Sequence, residues 1–294
     1  MRTLGDSREY AVDETIEAFL RHLQADRGRA NNTVLAYRAD LRQFASALNE
    51  LAGRKVGLDE VNGEMLAQYA AWLGTRGYRP ATLSRKMAAV RCFLESHDVA
   101  GSESVPELAE ALHPPPAPRR LPRLLSIEEV NGLLAAPLRN GTVRGVRDAA
   151  LLAVIYATGL RAADAVSLTM KDLDLVEGKL HRTGDGSGWL PLGTALPVLR
   201  RYVEEGRSQL VHDNEVRAVF VNQRGKPLSR QGLWLIVKHW AEATGLGAKV
   251  SPHSLRHALI QHMLAGGKSR REIQRVLGLR SPNAIRAPVK EAAA

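Results

Sequence analysis

The composition of this 294-residue chain excludes several classes of protein. Its single cysteine, Cys92, rules out an internal disulfide, and no segment reaches the roughly 20 consecutive apolar residues that a membrane helix requires. The formal net charge of +10 favours a polyanionic partner, and DNA, RNA and an acidic membrane face all meet that condition. The N-terminus lacks the apolar core of a signal peptide, so we expect a cytoplasmic protein.

The first part of the chain carries four apolar stripes with the three-and-four residue spacing of amphipathic helices. The stripes run over Ile16–Leu23, Val34–Leu48, Met65–Leu73 and Leu83–Leu94. Cys92 lies within the fourth stripe, which favours a packing role for its thiol. The pattern predicts an all-α, four-helix domain over residues 1–112.

A linker is predicted over residues 113–123, where the sequence is HPPPAPRRLPR. Repeated prolines hold a chain extended and remove backbone donors, and the arginines add positive charge. This composition indicates a semi-rigid basic connection between two domains.

Residues 124–294 predict a second domain that is mostly helical and contains a small sheet. Ser126 and Glu129 have the spacing of a capping box, as do Ser269 and Glu272. The predicted elements are a buried helix over 148–156, a hairpin around the glycine-rich residues 183–188, a short strand over 218–221, and helices over 229–244, 253–265 and 269–277. The whole chain is therefore predicted to be mainly α with two domains.

Two motifs of the second domain resemble those of the tyrosine recombinases, the phage integrase and Xer-type family. The segment YATGLR over 156–161, followed by Asp164, Leu168 and 172–174, resembles the first arginine motif, and PHSLRH over 252–257 resembles the H-x-x-R box. Residues 31–44 and 79–94 are similar to the N-terminal core-binding domain of the family, so the resemblance covers most of the chain. It implies a SAM-like N-terminal domain and an α+β catalytic-type domain with a small antiparallel sheet.

The resemblance also implies which residues contact the phosphate. In the family, two arginines bind the nonbridging oxygens of the phosphodiester attacked by a tyrosine, and a histidine assists proton movement. Arg161, Arg256 and His253 match these positions. Taken alone, Arg161 fits equally a helix C-terminal contact, and His253 fits a packed core histidine. No cofactor or metal is expected.

Three positions depart from the family pattern. The hairpin that carries a lysine in the family reads Gly-Asp-Gly here, with Asp185 at the lysine position and with Lys179 and Arg182 as the alternative cations. Leu279 stands where a histidine is usual, and Pro288 stands at the tyrosine position. No tyrosine follows Tyr202 in the sequence.

These departures predict a pseudo-enzyme that clamps duplex DNA without cleaving it and that organises DNA or regulates recombination. The alternative is an active site-specific recombinase or integrase whose nucleophile is unusual, such as Ser281, or is a tyrosine supplied by a partner. A third interpretation is a gene copy whose original tail was lost after Gly278. The expected partners are double-stranded DNA, in association with the nucleoid, and an active relative or a second copy of the chain.

Further DNA contacts are predicted on two helices, although scattered charges more often form an ordinary solvated face. The family resemblance and a helix N-terminus at Ser229 favour contact with phosphates. Trp234 and Trp240 are predicted to lie in the core, because both fall in an apolar helical pattern. The candidate contacts are Arg85, Lys86, Arg91, Arg230, Gln231 and Lys238.

Overall fold

The computed structural model describes residues 12–25, 31–96, 112, 124–183, 188–213, 215–247, 250–277 and 285. The chain divides into two compact units, Met1–Arg119 and Arg120–Ala294. The predicted linker over 113–123 lies outside the described residues, so the predicted domain bounds stay a prediction.

The first unit is built from helices, as its apolar stripes predict. They are α1 Val12–Ala25, α2 Asn31–Ala52, α3 Gly63–Gly74 and α4 Pro80–Ser96. Their apolar faces meet in one core, in which Phe19 packs edge-on against Phe93 and Phe44 packs edge-on against Tyr69. The side chain of Asn62 accepts a hydrogen bond from the backbone N–H of Met65 and so fixes the start of α3.

The second unit is also mainly helical, and its capping boxes form where the sequence predicts them. Ser126 and Glu129 exchange hydrogen bonds at the start of α5, and Ser269 and Glu272 do so at the start of α12. A π-helical turn, Tyr202–Gly206, joins α8 to α9. The helices are α5 Ile127–Ala135, α6 Val143–Thr158, α7 Ala162–Ser167, α8 Leu196–Arg201, α9 Arg207–Leu210, α10 Arg230–Ala243, α11 Pro252–Ala265 and α12 Arg270–Leu277.

Helix α6 is the central helix of the second unit and is buried along most of its length, which confirms the buried helix predicted over 148–156. It carries a buried ion pair, in which the Arg147 guanidinium lies 2.7 Å from Asp148 and donates a hydrogen bond to the Val221 carbonyl. The Trp240 indole N–H donates to the other oxygen of Asp148 at 2.9 Å. The charged pair is thereby bonded within the core, as buried charges require.

The sheet of the second unit contains three antiparallel strands in the order β1-β2-β3. They are β1 Leu173–Asp174, β2 Lys179–Arg182 and β3 Gly188–Pro191, and the predicted hairpin joins β2 to β3. Leu180 pairs with Leu190 on the buried face, and His181 pairs with Trp189.

The predicted strand over 218–221 is wrong, because this segment makes only isolated bridges. Side chains bind its carbonyl groups in place of a ladder: Arg207 donates to Ala218, and the Tyr202 hydroxyl donates to Val219. Otherwise the architecture confirms the predicted fold class, mainly helical with a small antiparallel sheet. Among the helices of the described residues, none has the length and apolar character needed to cross a bilayer.

Candidate active site

Arg161 is positioned by the sharp end of α6. Gly159 adopts a left-handed conformation with φ of 63°, and its N–H donates to the Ile155 carbonyl at 2.9 Å. Such a turn favours glycine, because a Cβ atom is strained at positive φ. The chain then reverses, and Arg161 becomes the N-cap residue of α7 with its side chain exposed.

His253 and Arg256 lie on the first turns of α11. The Ser251 hydroxyl accepts a hydrogen bond from the Ser254 N–H and fixes the start of this helix. Residues three positions apart share one helix face, so the exposed His253 and the buried Arg256 point to the same side. The Arg256 guanidinium donates to the Gly159 carbonyl. This bond holds the two predicted arginine motifs together.

Arg182, the last residue of β2, reaches the same place. Its side chain is buried, with 5% of the residue exposed, and its guanidinium donates to the Leu277 carbonyl at 2.6 Å. Leu277 ends α12 and packs directly on Gly159, because a Cβ atom built on that glycine would overlap the Leu277 side chain. Arg182 and Arg256 therefore bind the two sides of one Gly159–Leu277 contact.

Electrostatics confirm that the three arginines are close together. Burial lowers the pKa of Arg256, the neighbouring Arg161 and Arg182 lower it further, and Asp164 opposes them. Burial also lowers the pKa of Arg182, which Asp164 raises and Arg161 lowers. Arginine remains charged in proteins, so the cluster presents three guanidinium groups beside Asp164. Planar guanidinium forks bond phosphate oxygens in pairs, and this arrangement suits a phosphodiester.

Of the two alternative cations on the hairpin, Arg182 joins this cluster and Lys179 does not share its contacts. The Lys179 ammonium lies 3.5 Å from Asp174 and 5.2 Å from the centre of the Trp189 ring. It is three residues from Arg182, about 10 Å along an extended strand. Asp185, Leu279 and Pro288 lie outside the described residues.

Two other residues of the first arginine motif have structural roles. The Tyr156 hydroxyl donates to His262 Nδ1 at 2.7 Å, and His262 Nε2 donates to the Leu125 carbonyl at 2.9 Å. The carbonyl can only accept, which assigns the histidine proton to Nε2. Asp172 accepts hydrogen bonds from the N–H and hydroxyl of Thr169. These contacts hold the segments that flank Arg161.

In the first unit, the structure favours a structural role for Lys86 over the predicted DNA contact. The residue is 7% exposed, and its ammonium binds Asp40 at 2.9 Å and the side chain of Gln43. A buried ammonium with two bound partners is held within the unit. Arg85 also binds Asp40 but is exposed, and Arg91 is half-buried. DNA contact by these two arginines stays a prediction.

On α10, Arg230 and Gln231 are exposed at the first turn, and Lys238 lies over the Trp234 ring at 5.1 Å from its centre. Trp234 is 46% exposed, so the prediction that it lies in the core is wrong, whereas Trp240 is buried as predicted. The buried stripe of α10 contains Leu233, Val237 and Trp240, and Trp234 is about 100° away from Leu233. DNA contact by Arg230, Gln231 and Lys238 stays a prediction.

The sequence interpretation missed the exposed face of the hairpin. Trp189 is 52% exposed and packs edge-on against His181 at 5.2 Å between ring centres. Strand alternation signals this face, because Leu180 and Leu190 are buried and their neighbours point the other way.

Comparison with known proteins assigns the family. Residues 123–288 match the model of the phage integrase family, and residues 16–96 match the N-terminal SAM-like domain of phage integrases. The chain belongs to the phage integrase family of tyrosine recombinases. It is 41% identical over 276 residues to tyrosine recombinase XerC of Roseiflexus sp. (strain RS-1), covering 91% of this chain and 86% of the relative.

Further comparisons extend over the same length. Tyrosine recombinase XerD of Vibrio cholerae is 34% identical over 270 residues, covering 90% of this chain and 87% of the relative. Among solved structures, the Tn1549 transposon integrase in complex with transposon right end DNA matches with a TM-score of 0.73 and 17% identity, covering 94% of this chain and 93% of the integrase. This structural match supports the fold.

The relatives contradict the prediction that the chain is a pseudo-enzyme. Proteins named tyrosine recombinase match 90 to 91% of the chain, including the segments of Arg161, His253 and Arg256. The argument from the missing tyrosine considered one position of one chain, whereas the groups that bind and activate the phosphate are assembled in this unit.

Proposed function

We propose that this chain is a DNA-binding subunit of an Xer-type site-specific recombinase. In this proposal Arg161 and Arg256 bind the phosphodiester that is cut, and His253 takes part in proton movement. The observation that carries the proposal is the Arg256–Gly159 bond, which brings both arginine motifs together in a chain 41% identical to a XerC recombinase. Arg91, Arg230, Gln231 and Lys238 would add contacts to the phosphates of the duplex and to its association with the nucleoid.

The nucleophile in this proposal is a tyrosine supplied by a partner recombinase. The two tyrosines of the second unit are bound within it, since Tyr156 donates to His262 and the buried Tyr202 donates to the Val219 carbonyl. The partner's phenol oxygen would form a bond to phosphorus, and the bond from phosphorus to the 5′ oxygen would break. The 5′ oxygen takes up a proton, and the arginines stabilise the charge that develops on the nonbridging oxygens.

A complementation experiment tests this function. The Roseiflexus relative would carry a substitution of its own first active-site arginine, which leaves its tyrosine in place but removes cleavage. Mixed with this chain on a nicked DNA substrate, it should form a protein–DNA adduct that survives hot detergent. The adduct should be absent with either protein alone and with Arg161→Ala in this chain.

Two results would contradict the proposal. If both proteins bind the DNA and no adduct forms in the mixture, this chain does not supply the phosphate-activating groups. If an adduct forms on this chain alone, the nucleophile is its own, and Ser281 is the first residue to substitute.

A further inference from the structure

We propose that Arg182 is a third phosphate-binding arginine of the site, held in place by the carbonyl at the end of α12. The inference rests on the function proposed above and deepens it, because it assigns the bound anion a contact from the β2–β3 hairpin. Lys179 and Arg182 are alternatives by sequence alone, and the contacts of the structure distinguish them.

The first observation is where the side chain lies. Strand alternation puts Arg182 on the same face as Leu180, towards the interior, and the residue is 5% exposed. Burying a guanidinium is unfavourable unless its charge and its donors are satisfied. The bond to the Leu277 carbonyl satisfies one of the five N–H donors of the group and places it at the C-terminal end of a helix, where the helix dipole favours a cation.

The second observation is the shared contact with the other arginines. Leu277 packs on Gly159, and the Gly159 carbonyl accepts from Arg256. Arg161 follows Gly159 by two residues, so these contacts converge on one short segment. The lowered pKa of Arg256, caused by burial and then by Arg161 and Arg182, agrees with this geometry.

The third observation is the charge balance. Three guanidinium groups meet beside Asp164, which is the acidic group that opposes the lowered pKa of both Arg182 and Arg256. Like charges repel when they are held together in a partly buried place, and an anion with several oxygens relieves that repulsion. A phosphodiester oxygen pair is such a ligand, and an arginine binds it with two N–H groups at once.

The test compares two arginines that each donate to a backbone carbonyl at 2.6 Å. Arg182 binds Leu277, and the exposed Arg200 binds Leu175. Arg182→Met and Arg200→Met each remove one positive charge and one carbonyl contact, so Arg200→Met is the matched control. Arg182→Lys keeps the charge and removes the fork. Arg161→Ala reports separately on the proposed function.

DNA affinity would be measured across a series of salt concentrations with the full chain and a duplex it prefers. For Arg182→Met, affinity should fall roughly ten- to a hundredfold, as expected for a lost hydrogen bond to a charged group. The slope of log affinity against log salt should decrease in magnitude by about 0.9, the value for one phosphate contact. Arg200→Met should leave both unchanged, and Arg182→Lys should restore the slope with part of the affinity.

Thermal unfolding in inorganic phosphate, at ionic strength matched with chloride, provides a second readout. Phosphate should raise the Tm of the parent and of Arg200→Met, and raise it less for Arg182→Met. The inference is overturned if Arg182→Met keeps the parent salt slope and phosphate response, which would leave Arg182 as a support for α12 only. If Arg161→Ala is also without effect, the proposed function fails too; if Arg161→Ala alone weakens binding, only the role of Arg182 fails.

Discussion

Gly159 is the residue whose substitution should disturb the site most for the smallest chemical change. The substitution Gly159→Ala adds one methyl group at φ of 63°, where a Cβ atom is strained by about 1–2 kcal/mol. The added carbon would overlap the Leu277 Cδ2 methyl and lie 3.1 Å from that of Leu259. Leu277 is almost completely buried, so it has little space into which to move.

Overpacking of this kind adds about 1–3 kcal/mol, so the free energy of unfolding of the second unit should fall by about 2–5 kcal/mol in total. The matched control is Gly141→Ala. Gly141 has φ of 60° in the same unit, and a Cβ atom there meets no heavy atom of the described residues within 4 Å. Gly141→Ala should therefore lose only the conformational part, about 1–2 kcal/mol.

Urea unfolding followed by tryptophan fluorescence measures both variants, because three of the four tryptophans lie in the second unit. Gly159→Ala should also weaken DNA binding under conditions where it remains folded, since moving Leu277 shifts the acceptor of Arg182 and the turn that Arg256 binds. Equal destabilisation by the two substitutions, with unchanged DNA affinity for Gly159→Ala, would refute the reasoning.

Three other substitutions test separate parts of the fold. Trp240→Phe removes the indole donor to the buried carboxylate of the α6 ion pair and should lower the free energy of unfolding by about 1–3 kcal/mol, measured by urea unfolding. Asp40→Asn removes the counter-charge of the buried Lys86 and should cost about 3–5 kcal/mol, and a loss under 1 kcal/mol would contradict this burial. Hydrogen bonds from Arg54 and from the preceding backbone lower the pKa of Glu60 to about 2, so its contribution is complete above the ordinary pKa of about 4.5 and disappears as the pH falls towards 2. Glu60→Gln should therefore be less stable than the parent at pH 7 and equally stable at pH 2 in urea midpoints, and a constant difference would disprove the linkage.

The sequence predicts the helices well because their signals are local. Ser126 with Glu129 and Ser269 with Glu272 mark two helix starts within four residues, and both boxes form. The apolar run over 148–156 predicts the buried α6 for the same reason. The predicted strand over 218–221 failed because residues distant in the sequence, such as Arg207, bind its carbonyl groups.

The site is predictable only in part, because its contacts join distant segments. The motifs identify Arg161 and Arg256, but the bond from Arg182 to Leu277 spans 95 residues and no local pattern signals it. Lys86 shows the same limit: its charge suggested a surface contact, and its partner Asp40 lies 46 residues away on another helix.

The most direct test of the account is the coupling between Arg161 and one phosphate of the DNA. A duplex selected for binding would be resynthesised with a neutral methylphosphonate at each backbone position in turn, and its affinity would be measured for the parent chain and for Arg161→Ala. The account predicts one position in each bound half-site where the neutral linkage weakens the parent strongly and Arg161→Ala hardly at all. If every position weakens both proteins equally, Arg161 does not bind a backbone phosphate, and the proposed recombinase site is contradicted.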